Sequence, residues 1–411
     1  MLFGVLWEEN IMILKVKKDV LLFSLLSFLY FFPGFMDNTF ISLIRNLLFA
    51  MTIVYILLHR IKPDCFILSV ITYYLALHVI TLVNGHVYSD TIVLNIKACI
   101  YIWLLKGLLE KDTRKTVNVL YYIILFFCVV NFLTVVLMPE GLYQTREFID
   151  VWNGYYVYGN WIFGNKNTQS NWYLLLILLC HVRASTYKNI KKITLWIIAI
   201  ISVLNMVLVE SSTSAFVLMI AAVAVVLLSG KNRIQYPDMN SHSIFAGYLL
   251  VETLLVSGML TIVGPFIQTV FGKDLTFSGR ATSVWPKVLL YIEQKTLCGH
   301  GLINANTASE LMQNIALVNA HNEVLQILWQ GGVLLLFVVI LAFHNIGSAI
   351  NEIQDKREKI FICALLVAYL TSTLFEVTSS GYVFLIFIAL LYYSPKLMQG
   401  ISGEETVSLV S

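Results

Sequence analysis

Apolar side chains run through this sequence in long unbroken blocks separated by short polar breaks. They rarely alternate with polar residues at the two-residue strand period, so the blocks read as helices buried on most sides. Twelve of them lie at about 19–36, 40–58, 65–83, 92–109, 117–138, 168–182, 193–209, 214–229, 245–263, 324–343, 360–375 and 381–394. A helix needs about 20 apolar residues to cross a bilayer; the runs meet or approach that, 168–182 and 381–394 being the shortest. The pattern predicts an all-α polytopic integral membrane protein of about twelve transmembrane helices, one membrane domain over 1–411. Two connections are long, 139–167 and 264–323. Long loops in a compact domain are usually functional.

Composition narrows the class. Hydrophobic residues make up 58% of the 411 and charged residues only 12%, against about half and a quarter in soluble domains. A soluble enzyme, a disordered chain and a single-span receptor are excluded. The net charge of +3 suggests no nucleic-acid partner. Lysine and arginine then orient the chain, because cytoplasmic loops are enriched in them. With the N-terminus inside, eighteen of the 27 fall in inside segments and six outside. Those six are Arg146, Lys166, Lys273, Arg280, Lys287 and Lys295, all in the two long loops. Both termini are thus expected in the cytoplasm and both long loops outside. The apolar run Val20–Phe32, preceded by Lys15, Lys17 and Lys18, ends in Phe-Pro-Gly-Phe with no small-residue cleavage site; it reads as an uncleaved span. The six cysteines show no CxxC spacing, so neither a zinc nor a redox site is indicated.

Within 264–323, Val284, Val288, Leu289 and Ile292 recur at helical spacing after Trp285-Pro286. This predicts an amphipathic helix lying on the membrane surface. Leu297-Cys-Gly-His-Gly-Leu302 reads as a tight glycine turn, and Asn304 to Asn314 as another short helix. Asn319-Ala-His-Asn-Glu323 leads into the tenth block, where Gly331-Gly332 predicts close helix packing.

An ordered set of these residues resembles the O-antigen polymerase and ligase superfamily (Wzy- and WaaL-like). The set is Ser278-Gly279-Arg280, Trp285, Gly299-His300-Gly301, Ala320-His321-Asn322, Leu325 and Gly331-Gly332. Gly164-Asn165-Lys166-Asn167 looks like the family's Gly-x-x-Asn segment, and Glu210-Ser-Ser-Thr-Ser-Ala215 like its Ser-Arg turn. The resemblance covers about 160–345. One departure stands out: Thr213 or Ser214 takes the place of the turn's arginine.

The resemblance implies a bacterial cytoplasmic-membrane glycosyltransferase. It would polymerise undecaprenyl-diphosphate-linked oligosaccharide repeat units into O-antigen, capsule or exopolysaccharide on the outer face. Membrane lipid, a flippase and chain-length regulator proteins are the implied partners. An O-antigen ligase differs only in the acceptor. A rival of another class is a lipid-linked sugar flippase or secondary transporter, but no inverted repeat is visible. No cofactor is implied, and no DxD-like acidic cluster suggests a divalent metal.

That chemistry needs cations or donors for the departing diphosphate and a base for the acceptor hydroxyl, for which histidine is the usual choice. Arg280 is the diphosphate candidate, since a guanidinium grips phosphate in a fork, and Gly279 would let the backbone approach closely. Arg280 also reads as a surface arginine reaching lipid headgroups. His321 is the candidate base, or else a residue anchoring a helix start. No carboxylate expected outside has comparable support, Glu323 being the nearest rival. Asn322 is expected to orient His321 or the sugar, or to cap the helix. Asn165, Lys166 and Asn167 are expected to touch phosphate or sugar, Lys166 serving equally as an interface anchor. Arg146, near Trp152, Tyr155, Tyr156, Tyr158 and Trp161, belongs either to a sugar-stacking cluster or to an aromatic belt. Arg45, within a span near its expected outer end, is a further phosphate candidate.

Overall fold

The computed structural model describes residues 18–150, 154–186, 192–229, 237–258, 280–303, 308, 319–378 and 382–402. Within these, the chain folds into α1 (Lys18–Tyr30), α2 (Thr39–Leu58), α3 (Cys65–Val83), α4 (Ser89–Leu137), a hairpin of β1 (Tyr143–Asp150) and β2 (Gly154–Asn160), and α5 (Gln169–Thr186). There follow α6 (Lys192–Leu208), α7 (Ser212–Ser229), α8 (Ser241–Val256), α9 (Trp285–Gln294), α10 (Glu323–Asn351), α11 (Lys356–Thr373), α12 (Tyr382–Tyr392) and α13 (Ser394–Ser402). A helix occupies at least part of each of the twelve apolar blocks. Four helices, α2, α3, α4 and α10, are long and apolar enough by themselves to cross a membrane, and α1, α6, α7, α8 and α12 are shorter apolar helices. The fourth and fifth blocks form one element, α4, broken at Asp112 (φ −158°, ψ 82°). There the side chain accepts from Lys115 N at 3.0 Å and starts the second half.

α5 lies at the centre, packed on α4, α6, α7, α11, α12 and α13. Leu174, Leu175, Ile177, Leu178, Leu179 and Cys180 are all fully buried, which explains why the helix is apolar on every side and needs little length. α2 is the opposite case. It packs only on α1 and α4 among the stronger contacts and leaves Phe40, Leu43, Leu47, Leu57 and Leu58 at least 60% exposed. Such an apolar face is stable against lipid and not against water. The protein is a membrane protein.

Three expectations change. The wholly α-helical reading misses the hairpin, whose antiparallel register pairs Tyr143 with Asn160 and Arg146 with Val157. Its aromatic, Val and Thr residues favour strands. Next, the apolar stripe of α9 does not face a membrane surface: Trp285, Val288 and Ile292 are buried in a protein core with Leu325 and Trp329 of α10. The stripe is amphipathic for either solution, and a neighbouring helix supplies the apolar surface.

Gly331-Gly332 brings elements close by breaking α10, not by smooth helix packing. Gly332 has φ 61° and ψ −163°, and a side chain there would collide with the Leu297 carbonyl. The backbone groups freed by the break are met by the glycine turn. His300 N donates to Trp329 O (2.9 Å) and Gly301 N to Gln330 O (2.7 Å). In return Val333 N donates to Thr296 O (2.9 Å) and Leu334 N to Leu297 O (3.2 Å). Inside a bilayer an unpaired peptide group is costly, so irregular backbone survives only where protein satisfies it. The seat is tight: Gly299, at φ 63°, has no room for a side chain against Gln330 and Gly331. The expected short helix at 304–314 falls almost wholly outside the described residues.

Candidate functional site

Five segments meet at one end of the bundle: the turn before α5, the turn before α7, the start of α9, the start of α10 and the end of α11. The turn before α5 is built locally. Trp161 and Gly164 exchange two backbone hydrogen bonds at 3.0 Å, and Phe163 stacks on Trp172 at 4.2 Å between ring centroids. Phe163 N donates to Asn131 Oδ1 (3.1 Å) within a buried amide cluster, in which Asn131 and Asn205 both donate to Gln169 Oε1 (2.9 and 2.8 Å). Asn165 Oδ1 accepts from Asn167 N (3.0 Å) and Thr168 N (3.2 Å). Asn165 thus shapes the turn through its Oδ1. Lys166 reaches across to Glu210 O (3.3 Å), and Ser211 Oγ donates to Asn167 Oδ1 (3.1 Å).

His321 stands immediately before α10 with φ 48°. A left-handed conformation costs a non-glycine residue about 1–2 kcal/mol, and such strain collects at functional sites. Local bonds enforce it: Asn319 Oδ1 accepts from His321 N, and Gln326 Oε1 from Ala320 N, both at 2.8 Å. The ring is a quarter exposed. Its Nδ1 is buried and makes no hydrogen bond within the protein.

The next two residues act as clamps. Asn322, fully buried, caps α10 by accepting from Leu325 N at 2.9 Å, and its Nδ2 donates to Leu374 O at 3.1 Å. Glu323 Oε2 accepts from Thr378 N (2.6 Å) and Thr378 Oγ1 (3.1 Å). A carboxylate holding two donors is poorly placed to serve as the base. Together the two clamps hold the segment after α11 at Leu374 and Thr378, with Glu376 between them.

Glu376 belongs to no motif of the sequence, yet it joins these segments. Its Oε1 accepts from Arg280 Nη2 at 2.7 Å and from Asn167 Nδ2 at 2.9 Å, while Oε2 lies 3.7 Å from His321 Nδ1. Arg280 and Glu376 are 16% and 18% exposed, so the pair is shielded but reachable. The one signal available in sequence was topological: Glu376 lies in the short break between the last two blocks, on the side expected to carry His321. Arg280, His321, Asn322 and Asn167 are thus brought together, with Lys166 close by through the Glu210 turn. Arg45 is not among them; it pairs with Asp37 at the junction of α1 and α2, and no described contact links it to Glu376. Arg146 lies on β1, its side chain outside the described set, and Gly279 also lies outside the described residues. His300 is structural, its Nε2 meeting Tyr291 O at 2.8 Å.

Beside this cluster an apolar cavity of about 490 Å³ runs between α3, α8, α10, α11 and α12. Glu323 lies at its head. His344, 21 residues further along α10 and beyond its break, also lines the cavity and stacks on His242. Phe66, Tyr74, Phe245, Leu336, Phe343 and Phe384 line the space between.

No curated protein and no solved structure matches this chain. Residues 197–340, about a third of it, match the family described as O-antigen ligase (Wzy_C). That segment contributes Arg280 and the His321-Asn322-Glu323 clamp, whereas Asn167 and Glu376 come from outside it. Over this segment the chain is similar to the O-antigen ligase family, the resemblance that its Gly-Arg and His-Asn residues also carry.

Proposed function

We propose that the protein polymerises undecaprenyl-diphosphate-linked oligosaccharide repeat units at the outer face of the bacterial cytoplasmic membrane. One observation carries the reading: a guanidinium, a strained histidine and a carboxylate converge beside a long apolar cavity. The cavity suits the polyprenyl chain. Arg280, helped by Lys166, would hold the diphosphate and neutralise the charge that grows on it. His321 would take the proton from an acceptor hydroxyl as that oxygen attacks the anomeric carbon. The new carbon–oxygen bond forms while the bond to the diphosphate breaks, and the lipid diphosphate leaves with the electron pair. Lys166 also offers a cation near the Glu210 turn, where this chain lacks the family's arginine.

The test is His321→Ala and His321→Gln. In cells, the alanine variant should accumulate single lipid-linked repeat units, because synthesis and flipping continue upstream. In a purified assay the glutamine variant should be nearly as inactive as alanine, since base assistance is worth about 10²–10⁴-fold. A glutamine variant retaining most of the activity would reduce His321 to a positioning role. The same assay, run with a second repeat unit or with a lipid A core as acceptor, separates polymerase from ligase.

A further inference from the structure

Arg280 and His321 share one carboxylate, and only one of them holds it. Glu376 is bonded to Arg280 and Asn167 through Oε1, leaving Oε2 3.7 Å from His321 Nδ1. That nitrogen is buried and has no hydrogen-bond partner. Buried polar groups are nearly always paired, and an exception calls for an explanation.

We propose that Glu376 is a handover carboxylate: a diphosphate that takes the Arg280 guanidinium releases Glu376 to bind His321 Nδ1 and so orient the base. The inference rests on the roles given above to Arg280 and His321. A carboxylate has about four acceptor sites, yet the ion pair with Arg280 sets where this one lies. A diphosphate presents more oxygens and more charge to the fork than a single carboxylate does. Once Arg280 turns to it, Oε2 needs to close by less than about 1 Å to reach bonding distance from Nδ1. The backbone need not move, because Asn322 and Glu323 clamp it at Leu374 and Thr378. Asn167, itself held by Ser211, tethers Oε1 throughout.

Two consequences follow. With Nδ1–H donating to Glu376, the neutral ring presents Nε2 as its proton acceptor. As Nε2 takes the acceptor's proton, the carboxylate faces the positive charge that develops on the ring. The base is therefore oriented only when a leaving group is in place, and an acceptor hydroxyl that arrives first is not activated. Glu376 is a positioning residue; it touches neither sugar nor phosphate.

The experiment uses the full-length protein in nanodiscs, labelled with ¹⁵N-histidine, with undecaprenyl diphosphate as the probe. The His321 signals are identified by their loss in His321→Gln. Adding the lipid should move His321 to the Nδ1–H form with Nε2 unprotonated, and Glu376→Gln should abolish that response. The variant also makes a prediction of opposite signs. Freed from its competitor, Arg280 should bind undecaprenyl diphosphate several-fold more tightly, while turnover of lipid-linked repeat units extracted from His321→Ala cells falls by about 10²–10⁴-fold. Weaker lipid binding in Glu376→Gln overturns the handover. So does a wild-type His321 signal that stays unmoved with lipid bound, a result that needs no variant at Glu376. If the wild-type protein binds no undecaprenyl diphosphate, the role given to Arg280 falls and the handover with it. Binding without a histidine response sinks the handover alone.

Discussion

Asn322 is where capping and site positioning separate cleanly. Its Oδ1 caps α10 at Leu325 N, and its Nδ2 holds Leu374 O two residues before Glu376. Asn322→Ser keeps a good cap, because serine and asparagine rank together at that position, but serine lacks the Nδ2 donor. Asn322→Ala loses both contacts. The cap is worth about 1 kcal/mol. Leaving the buried Leu374 carbonyl without its donor costs about 1–3 kcal/mol. Thermal melts in detergent should therefore rank wild type above serine and serine above alanine, the last two about 1 kcal/mol apart. If the clamp cost falls on the placing of Glu376, turnover drops by about 5- to 150-fold at 1.36 kcal/mol per decade, and by nearly the same factor in both variants. A serine variant with wild-type turnover beside an impaired alanine variant would show that Asn322 only caps, and the clamp argument would fail.

Arg280→Lys should lose long polymer almost as fully as Arg280→Ala at equal protein level, because an ammonium cannot reproduce the planar fork; polymer length on a gel reads the result, and a fully active lysine variant refutes it. Gly332→Ala should lower the melting temperature through a loss of about 1–3 kcal/mol for the disfavoured backbone conformation, with more from the collision with Leu297; an unchanged melt would mean that the break in α10 is not held as described. Glu140→Cys should react with an impermeant thiol reagent on intact cells, after outer-membrane permeabilisation where one is present. Labelling only after the inner membrane is broken would invert the proposed topology.

The site was only half legible in the amino-acid order. Arg280, His321 and Asn322 stand out locally, through a Gly-Arg turn and a His-Asn at a helix start. The cap bond confirms that local logic, spanning three residues. Glu376 gave no comparable sign because its partners lie 209 and 96 residues away in Asn167 and Arg280. Asn165 also shapes its own turn through Oδ1, and Arg45 pairs with Asp37 at the junction of α1 and α2.

By itself the sequence determined the membrane class and the position of nearly every helix, since the transfer of apolar side chains out of water sums residue by residue along each block. Tertiary structure decided what the blocks do to one another. It closed the gap between Asn167, Arg280, His321 and Glu376, and it seated a glycine turn in the break of α10. It also turned the apolar stripe of α9 onto protein in place of lipid. These outcomes rest on hydrogen bonds and packing between distant segments. Apolar burial rewards any partner surface, whereas a hydrogen bond rewards one geometry, and that geometry exists only once the helices have packed.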